Sequence, residues 1–168
     1  MPTPARDPMF NQAIPTLRAG PRHAARGVMS ALALMFASAF GAATILPFYS
    51  EVVLLGLLSQ GHSPLALWAA ATLGNTLGSI VNWFLGRELN RWSDRRWFPI
   101  RQARLEQAQR WFQRYGIWSL LLAWAPVGGD ALTFIGGLMR VRLALFTLLV
   151  GIGKGLRYAV LVGAWVLA

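Results

Sequence analysis

The sequence predicts an all-α fold: a polytopic helical membrane protein with two broken re-entrant segments and an interfacial amphipathic helix. Three observations lead to this prediction. The 168 residues are 55% hydrophobic and only 13% charged, whereas about 25% of the residues in a soluble domain are charged. The apolar residues are gathered in long blocks instead of alternating with polar residues at a helix or strand period. Arginines flank these blocks, as the positive-inside rule expects of cytoplasmic segments.

The charge and composition also exclude several classes of function. A formal net charge of +10 would suit nucleic acid, but arginines beside apolar blocks are better explained by anionic lipid headgroups, which each basic residue near the surface attracts with about 1 kcal/mol. We therefore predict membrane lipids, and no nucleic acid, as partners. Cysteine is absent, and His23 and His62 lie outside the apolar blocks. No metal site and no cofactor are predicted.

The chain divides into an arm and a membrane domain. Residues 1–27 are rich in proline and arginine and have no apolar period, which predicts a disordered basic cytoplasmic arm. Residues 28–168 form the predicted membrane domain. Its first block, 28–46, is uncharged and long enough to cross, because a crossing helix needs about 20 residues. A cleaved signal peptide is the alternative for this block.

The first predicted re-entrant segment follows directly. Pro47 ends the first span, and the apolar stretch after it, which carries Glu51, has about a dozen residues and is too short to cross. Residues 64–86 then form an uncharged second span. On this span, Gly74 and Gly78 are spaced for close helix packing, and Gly151 and Gly155 repeat the spacing on the last helix. Asn75 and Asn82 fall near the same helical face as Gly78. We expect this face to pack against another helix, and the alternative is that the asparagines line a cavity.

The densest group of arginines lies in residues 87–114, which are therefore assigned to the cytoplasm. At the end of this stretch the apolar residues fall on one helical face and the basic ones mostly opposite, which indicates a short helix in the membrane interface. A soluble helix packed on a partner is the alternative. The apolar face consists of Leu105, Ala108, Trp111, Phe112 and Tyr115.

The last two apolar blocks, 117–139 and 143–168, are separated only by Arg140, Val141 and Arg142. If both blocks cross, these arginines lie outside, against the positive-inside rule. If 117–139 dips in and returns, broken at Pro126, Gly128 and Gly129, the arginines before the last block are all cytoplasmic. Irregular backbone at membrane depth must be buried in protein or line water. Two such breaks in corresponding positions indicate a transporter site near the midplane.

Five ionisable residues lie in or against the apolar blocks, and such residues usually face a cavity or a partner because a charge at the bilayer centre costs about 2.5–3.5 kcal/mol. Two acids lie on the broken segments and are candidates for exchanging a proton. Lys154 and Arg157 share a face of the last helix, with Tyr158 one turn from Lys154. They are candidates for pairing with the acids or binding a lipid phosphate. The five residues are Glu51, Asp130, Arg140, Lys154 and Arg157.

Hydrolysis is not predicted. An intramembrane aspartyl protease of the G-x-G-D type would need glycine where this chain has Val127, and a second aspartate within the membrane. A serine protease would need a histidine within the membrane. We therefore expect no enzyme.

Taken together, the segments resemble the DedA family, the bacterial members of the VTT-domain or SNARE-associated Golgi protein group, and its small YqaA-like branch. The resemblance covers roughly residues 30–165. It is carried by LPFYSEVVLLGLL (46–58), ATLGNTLGSIVNWFLGR (71–87), RWFQRYGIWSLLLAWAPVGGD (110–130) and GLMRVRLALFTLLVGIGKGLRY (137–158).

The resemblance implies two facing re-entrant segments and a role in moving lipids, including the polyprenyl-phosphate carrier. By motif, Glu51 corresponds to the glutamate after the first break. Larger members carry R-x-P-x-x-R around the second proline, whereas this chain has Trp124 and Gly129 in place of the arginines. A lipid translocase or scramblase acting on an anionic lipid is the favoured function. A proton-coupled solute transporter and a structural membrane protein are the alternatives, and a homo-oligomer is compatible with the sequence.

Overall fold

The protein, described here by a computed structural model, consists of helices and short turns in the residues that the structure describes, which are 21–44, 49–88, 102–125 and 128–168. No strand occurs within these ranges, so the all-α prediction is confirmed. The elements are α1 (Pro21–Thr44), α2 (Tyr49–Ser59), α3 (Pro64–Glu88), α4 (Gln102–Tyr115), a 3-10 helix (Gly116–Trp124), α5 (Gly129–Leu138) and α6 (Leu143–Leu167).

Three of the described helices are long and apolar enough to cross a membrane: α1 over residues 25–43, and α3 and α6 over their full 25 residues. At about 1.5 Å per residue, 25 residues extend about 37 Å, which exceeds the hydrocarbon thickness of about 30 Å. The prediction of a polytopic helical membrane protein is therefore confirmed.

Helix α1 begins earlier than the predicted span. It starts at Pro21, so residues 21–27, which the sequence assigned to the disordered arm, are helical. Proline is well tolerated in the first turn, where its missing N–H has no intrahelical partner, and the alanines and arginines that follow are good helix formers. The helix of the span thus extends backwards into the basic stretch. Residues 1–20 lie outside the described part of the chain.

Both apolar segments that were predicted to be broken are made of short helices. The first contains α2, with 11 residues, and the second is divided into the 3-10 helix and α5. Gly128, at the division, has a φ of 90°, a left-handed conformation that glycine adopts without steric cost. The predicted breaks Pro47 and Pro126 lie outside the described residues, and the re-entrant path itself stays a prediction.

Helix α4 places its apolar face against the second broken segment. Phe112 is buried and Trp111 half-buried, and both pack with residues of the 3-10 helix and α5, while Arg110 and Arg114 are exposed. Tyr115, predicted on the apolar face, is instead half exposed because it ends the helix, with the Arg114 guanidinium carbon 5.5 Å from its ring centre. The side chains of Leu105 and Ala108 lie outside the described set.

Glycines set the closest helix contacts. A Cβ built on Gly74 would collide with the carbonyl oxygen of Phe36, and one on Gly78 would lie 2.6 Å from the carbonyl oxygen of Phe40, so α1 and α3 meet backbone to backbone. Helices α3 and α5 meet in the same way, because a Cβ on Gly137 would collide with the carbonyl group of Trp83. Helix α3 therefore lies at the centre of the bundle, as small residues permit.

Asn82 joins three of these helices. Its amide nitrogen on α3 donates to the carbonyl oxygen of Ala43 on α1 at 2.8 Å and to Thr133 Oγ1 on α5 at 3.3 Å. Thr133 in turn donates to the carbonyl oxygen of Asp130 at 2.7 Å. These hydrogen bonds connect α1, α3 and α5. In contrast, the hydroxyl oxygens of Thr72 and Thr76 are buried without a hydrogen-bond partner in the described structure.

This contrast gives a matched test of hydrogen bonding inside the bundle. Thr133→Val removes a hydroxyl that both donates and accepts, so we expect a loss of about 1 kcal/mol in the free energy of unfolding. Thr72→Val and Thr76→Val remove hydroxyls that are buried without partners, so we expect no loss or a gain. Thermal unfolding midpoints of the detergent-solubilised variants would measure the difference, and equal losses at all three positions would contradict the assigned hydrogen bonds.

Candidate functional site

Arg157, near the middle of α6, joins both broken segments. Its guanidinium forms an ion pair with Glu51 on α2, and its second terminal nitrogen donates to the carbonyl oxygen of Trp124 at 3.0 Å. Trp124 is the last residue of the 3-10 helix, where carbonyl oxygens lack intrahelical donors and carry partial negative charge. Arg157 therefore neutralises an acid from one segment and donates a hydrogen bond to the end of a helix in the other.

Lys154 lies one turn before Arg157 and is buried, with 3% of its surface exposed. Its ammonium group donates to the side-chain oxygen of Asn75 on α3, and it lies 3.8 Å from the carboxylate of Asp130 in the first turn of α5. The Asp130 side chain is 38% exposed. A buried ammonium is stabilised only when it has such polar and charged partners, so Asn75 and Asp130 together hold the charge of Lys154 in the bundle.

Polar contacts continue from Lys154 through the bundle. The amide nitrogen of Asn75 donates to the hydroxyl of Tyr158 at 3.0 Å, and the Tyr158 hydroxyl donates to Ser50 Oγ at 3.0 Å. Ser50 is buried and directly precedes Glu51. One series of hydrogen bonds thus runs from Lys154, which faces Asp130, to Ser50, the chain neighbour of Glu51.

A groove of about 710 Å³ opens beside the Glu51–Arg157 pair. Its walls are apolar except at this pair, and they come from the 3-10 helix and the exposed side of α6. The side chains of Arg157 and Glu51 are 18% and 29% exposed, respectively, so both are accessible from the groove. The lining residues are Glu51, Leu121, Leu122, Trp124, Ile152, Gly153, Leu156, Arg157, Val160 and Leu161.

Comparison with known proteins places this arrangement in a family. The VTT domain matches residues 28–166. The chain belongs to the DedA family of VTT-domain proteins. An Escherichia coli protein named inner membrane protein YqaA is 42% identical over 135 residues, which cover 79% of this chain and 89% of the relative. A Haemophilus influenzae protein is 37% identical over 140 residues, covering 79% and 85% of the two chains.

A more distant DedA relative carries a functional name. The Staphylococcus aureus protein named undecaprenyl phosphate transporter A is 30% identical over 116 residues, covering 62% of this chain and 57% of that protein. No solved structure matches the chain. The similarity to the Escherichia coli inner membrane protein and the three apolar helices identify this protein as an integral protein of the bacterial inner membrane.

The structure brings together most of the ionisable residues predicted for the site. Sequence reasoning left open which acid meets which base, and the structure pairs Glu51 with Arg157 and Asp130 with Lys154. Arg140 is apart from them. It is exposed in the turn before α6, with a left-handed φ of 54°, and lies roughly 15–20 Å along the helix from Lys154 at 1.5 Å per residue.

Two contacts of the DedA site were not found from sequence. Ser50 was missed because a single serine beside an acid carries no distinctive pattern. The main-chain oxygen of Trp124 was missed because backbone acceptors are invisible in a sequence. Within the described residues, no group of three or more His, Asp and Glu side chains could hold a metal ion.

Proposed function

We propose that this DedA protein moves an anionic lipid across the inner membrane, with Arg157 receiving the headgroup and the apolar groove holding the chain. The observation that carries the proposal is the position of the Glu51–Arg157 pair, which supplies the only charged lining residues of an otherwise apolar groove in the described structure. A polar end joined to an apolar wall matches the two parts of an amphipathic ligand.

The chemistry of Arg157 suits a phosphate. A guanidinium offers a planar fork of donors that phosphate oxygens accept in pairs. Glu51 neutralises this fork when the groove is empty, which limits the cost of a charge in an apolar place. An incoming anionic headgroup can replace the carboxylate at the same nitrogen atoms. Exchange of one anion for another leaves the local charge balanced at each stage.

The resemblance to larger DedA members also supports this role for Arg157. Those members carry an arginine where this chain has Trp124, and the Arg157 guanidinium contacts the carbonyl oxygen of Trp124. An arginine from α6 thus supplies a positive charge next to the position that lacks one. The name of the Staphylococcus aureus relative supports a polyprenyl phosphate as the lipid, and a phospholipid shares the same phosphate chemistry.

The second candidate, a proton-coupled transporter for a small solute, is favoured by the two membrane acids but not by the groove. Glu51 and Asp130 each face a cation, and either could release that cation on taking up a proton. A small polar solute would, however, lose its hydration against apolar walls without gaining hydrogen bonds. The lipid is therefore the better match.

Reconstitution tests the proposal. The purified full chain would be placed in liposomes with labelled polyprenyl phosphate in one series and labelled phospholipid in another, each with and without a pH gradient. We expect movement of an anionic lipid above the level in protein-free liposomes. Movement without a gradient would indicate scrambling, and dependence on the gradient would indicate proton coupling. If neither lipid moves in either condition, the proposed function is wrong.

The acids give a second measurement in the same liposomes. Glu51→Gln leaves the Arg157 charge without its carboxylate, so a bound anion should be released more slowly. Asp130→Asn removes the carboxylate that faces the buried Lys154. We expect both variants to transport more slowly while the amount of folded protein stays near that of the unmodified chain. Normal transport by both variants would contradict the assignment of the site.

A further inference from the structure

The charge of Lys154 fixes the direction of every hydrogen bond that leads from it. An ammonium group only donates, so Asn75 must turn its side-chain oxygen towards Lys154, and its amide NH₂ then points to Tyr158. The Tyr158 hydroxyl accepts that hydrogen bond and donates one of its own to Ser50 Oγ, at 3.0 Å. One positive charge therefore orients three side chains in sequence.

This series of hydrogen bonds runs between the two broken segments. At one end, Lys154 lies 3.8 Å from Asp130 of α5. At the other end, Ser50 of α2 directly precedes Glu51, which pairs with Arg157. The intermediate groups, Asn75 of α3 and Tyr158 of α6, are both buried. Groups joined in a buried series of hydrogen bonds restrict one another's positions.

This series of hydrogen bonds is suited to pass on a displacement of a side chain, and not a proton. A side-chain amide has no readily lost proton, so Asn75 interrupts any path of proton transfer from Lys154 to Tyr158. What can pass through Asn75 is a displacement, because its two polar ends are held by different partners. If Lys154 moves towards or away from Asn75, the Tyr158 hydroxyl and Ser50 lose or gain their alignment.

We propose that Asn75 and the Tyr158 hydroxyl are positioning groups that couple the two ion pairs, so that releasing Asp130 from Lys154 changes how firmly α2 is held at Glu51. This inference deepens the proposed function, because it describes how the lipid site and the second broken segment act on each other. Without Asp130, the ammonium group depends on Asn75, and the hydrogen bonds through Tyr158 to Ser50 are held more firmly.

The absence of native cysteines allows a test that needs no transport. A Val53→Cys reporter lies on α2, three residues after Ser50, at a half-buried position. The rate at which a small maleimide labels it in the detergent-solubilised full chain measures how firmly α2 is held. Asp130→Asn should slow the labelling by about fivefold or more, the lower end of typical couplings between sites. The same substitution in a Tyr158→Phe background should leave the rate unchanged.

Two further variants keep the test decisive. Tyr115→Phe, the same chemical change at a half-exposed tyrosine on α4, should preserve the effect of Asp130→Asn. If Tyr158→Phe does not fold, Ser50→Ala removes the acceptor of the Tyr158 hydroxyl and should also abolish the effect. The coupling is overturned if Asp130→Asn does not slow the labelling when Tyr158 is present. It is also overturned if Asp130→Asn slows the labelling equally in the Tyr158→Phe background. If the protein moves lipid in liposomes but the labelling shows no coupling, this inference alone is wrong. If the labelling shows coupling but no lipid moves, the proposed function alone is wrong.

Discussion

Arg157→Gln should reduce the movement of an anionic lipid about tenfold or more, because a hydrogen bond to a charged group contributes about 1.5–3 kcal/mol and each 1.4 kcal/mol is about a tenfold change in an equilibrium constant. The substitution removes the positive charge from the groove and leaves the Glu51 carboxylate without its partner. It also frees the carbonyl oxygen of Trp124. Initial rates in liposomes with labelled polyprenyl phosphate and labelled phospholipid would measure the loss.

Two control substitutions separate the geometry of this site from its charge. Arg110→Gln removes the same charge from an exposed position on α4 and should leave transport nearly unchanged. Arg157→Lys keeps the charge but lacks the planar fork that reaches both Glu51 and the Trp124 carbonyl, so we expect partial activity. Transport by Arg157→Gln at the rate of the unmodified chain would show that the headgroup does not bind at Arg157.

Gly137→Ala should give the largest loss of folded protein among single methyl additions to the bundle. A Cβ at this position would collide with the carbonyl oxygen and carbon of Trp83, and these backbone atoms of α3 cannot move aside as a flexible side chain could. Forcing an extra methyl into a tightly packed contact costs about 1–3 kcal/mol. The yield of monodisperse protein and its thermal unfolding midpoint would measure the effect.

The matched control for this prediction is Gly163→Ala on α6. A Cβ there would meet no atom within 4 Å, and alanine favours a helix over glycine by up to about 1 kcal/mol. We therefore expect Gly163→Ala to unfold at the same or a slightly higher temperature. Equal behaviour of the two variants would mean that α3 and α5 do not approach as closely as the structure shows.

The membrane helices could be predicted from sequence because hydrocarbon imposes a length and a composition that few other structures satisfy. The blocks 64–86 and 143–168 coincide closely with α3 and α6. The start of α1 at Pro21 was missed for a related reason. A hydropathy boundary marks where charged residues begin, and a helix can continue past that point because alanine and arginine also favour it.

The partners of the charged residues could not be predicted, although the residues themselves could. An acid or base in an apolar block stands out in the sequence because burial of a charge is costly. Which groups meet depends on how α2 and α5 dock against α6, and these contacts are made by residues far apart in the chain. Lys154 and Arg157 share a face of α6, yet their acidic partners lie on different broken segments.

Gly129 shows how local packing can explain a departure from the family pattern. Larger DedA members carry an arginine at the matching position, whereas a Cβ on Gly129 here would collide with the carbonyl oxygen of Ala123. The close approach of Gly129 to Ala123 therefore leaves no room for a larger residue at position 129. The sequence shows the missing arginine but not this contact, which depends on how the start of α5 packs against the 3-10 helix.

The 3-10 helix at Gly116–Trp124 has nine residues, although runs of this kind longer than about four residues are uncommon. Its rise of about 2.0 Å per residue, against about 1.5 Å for an α-helix, means that the same nine residues would shorten by about 4–5 Å on rewinding. Such a change would exchange hydrogen bonds between residues three apart for hydrogen bonds between residues four apart. Because Trp124 is the last residue of the segment, its carbonyl would move relative to Arg157. The 3-10 helix supplies one wall of the groove, so rewinding it would change the shape of the groove without unfolding the segment.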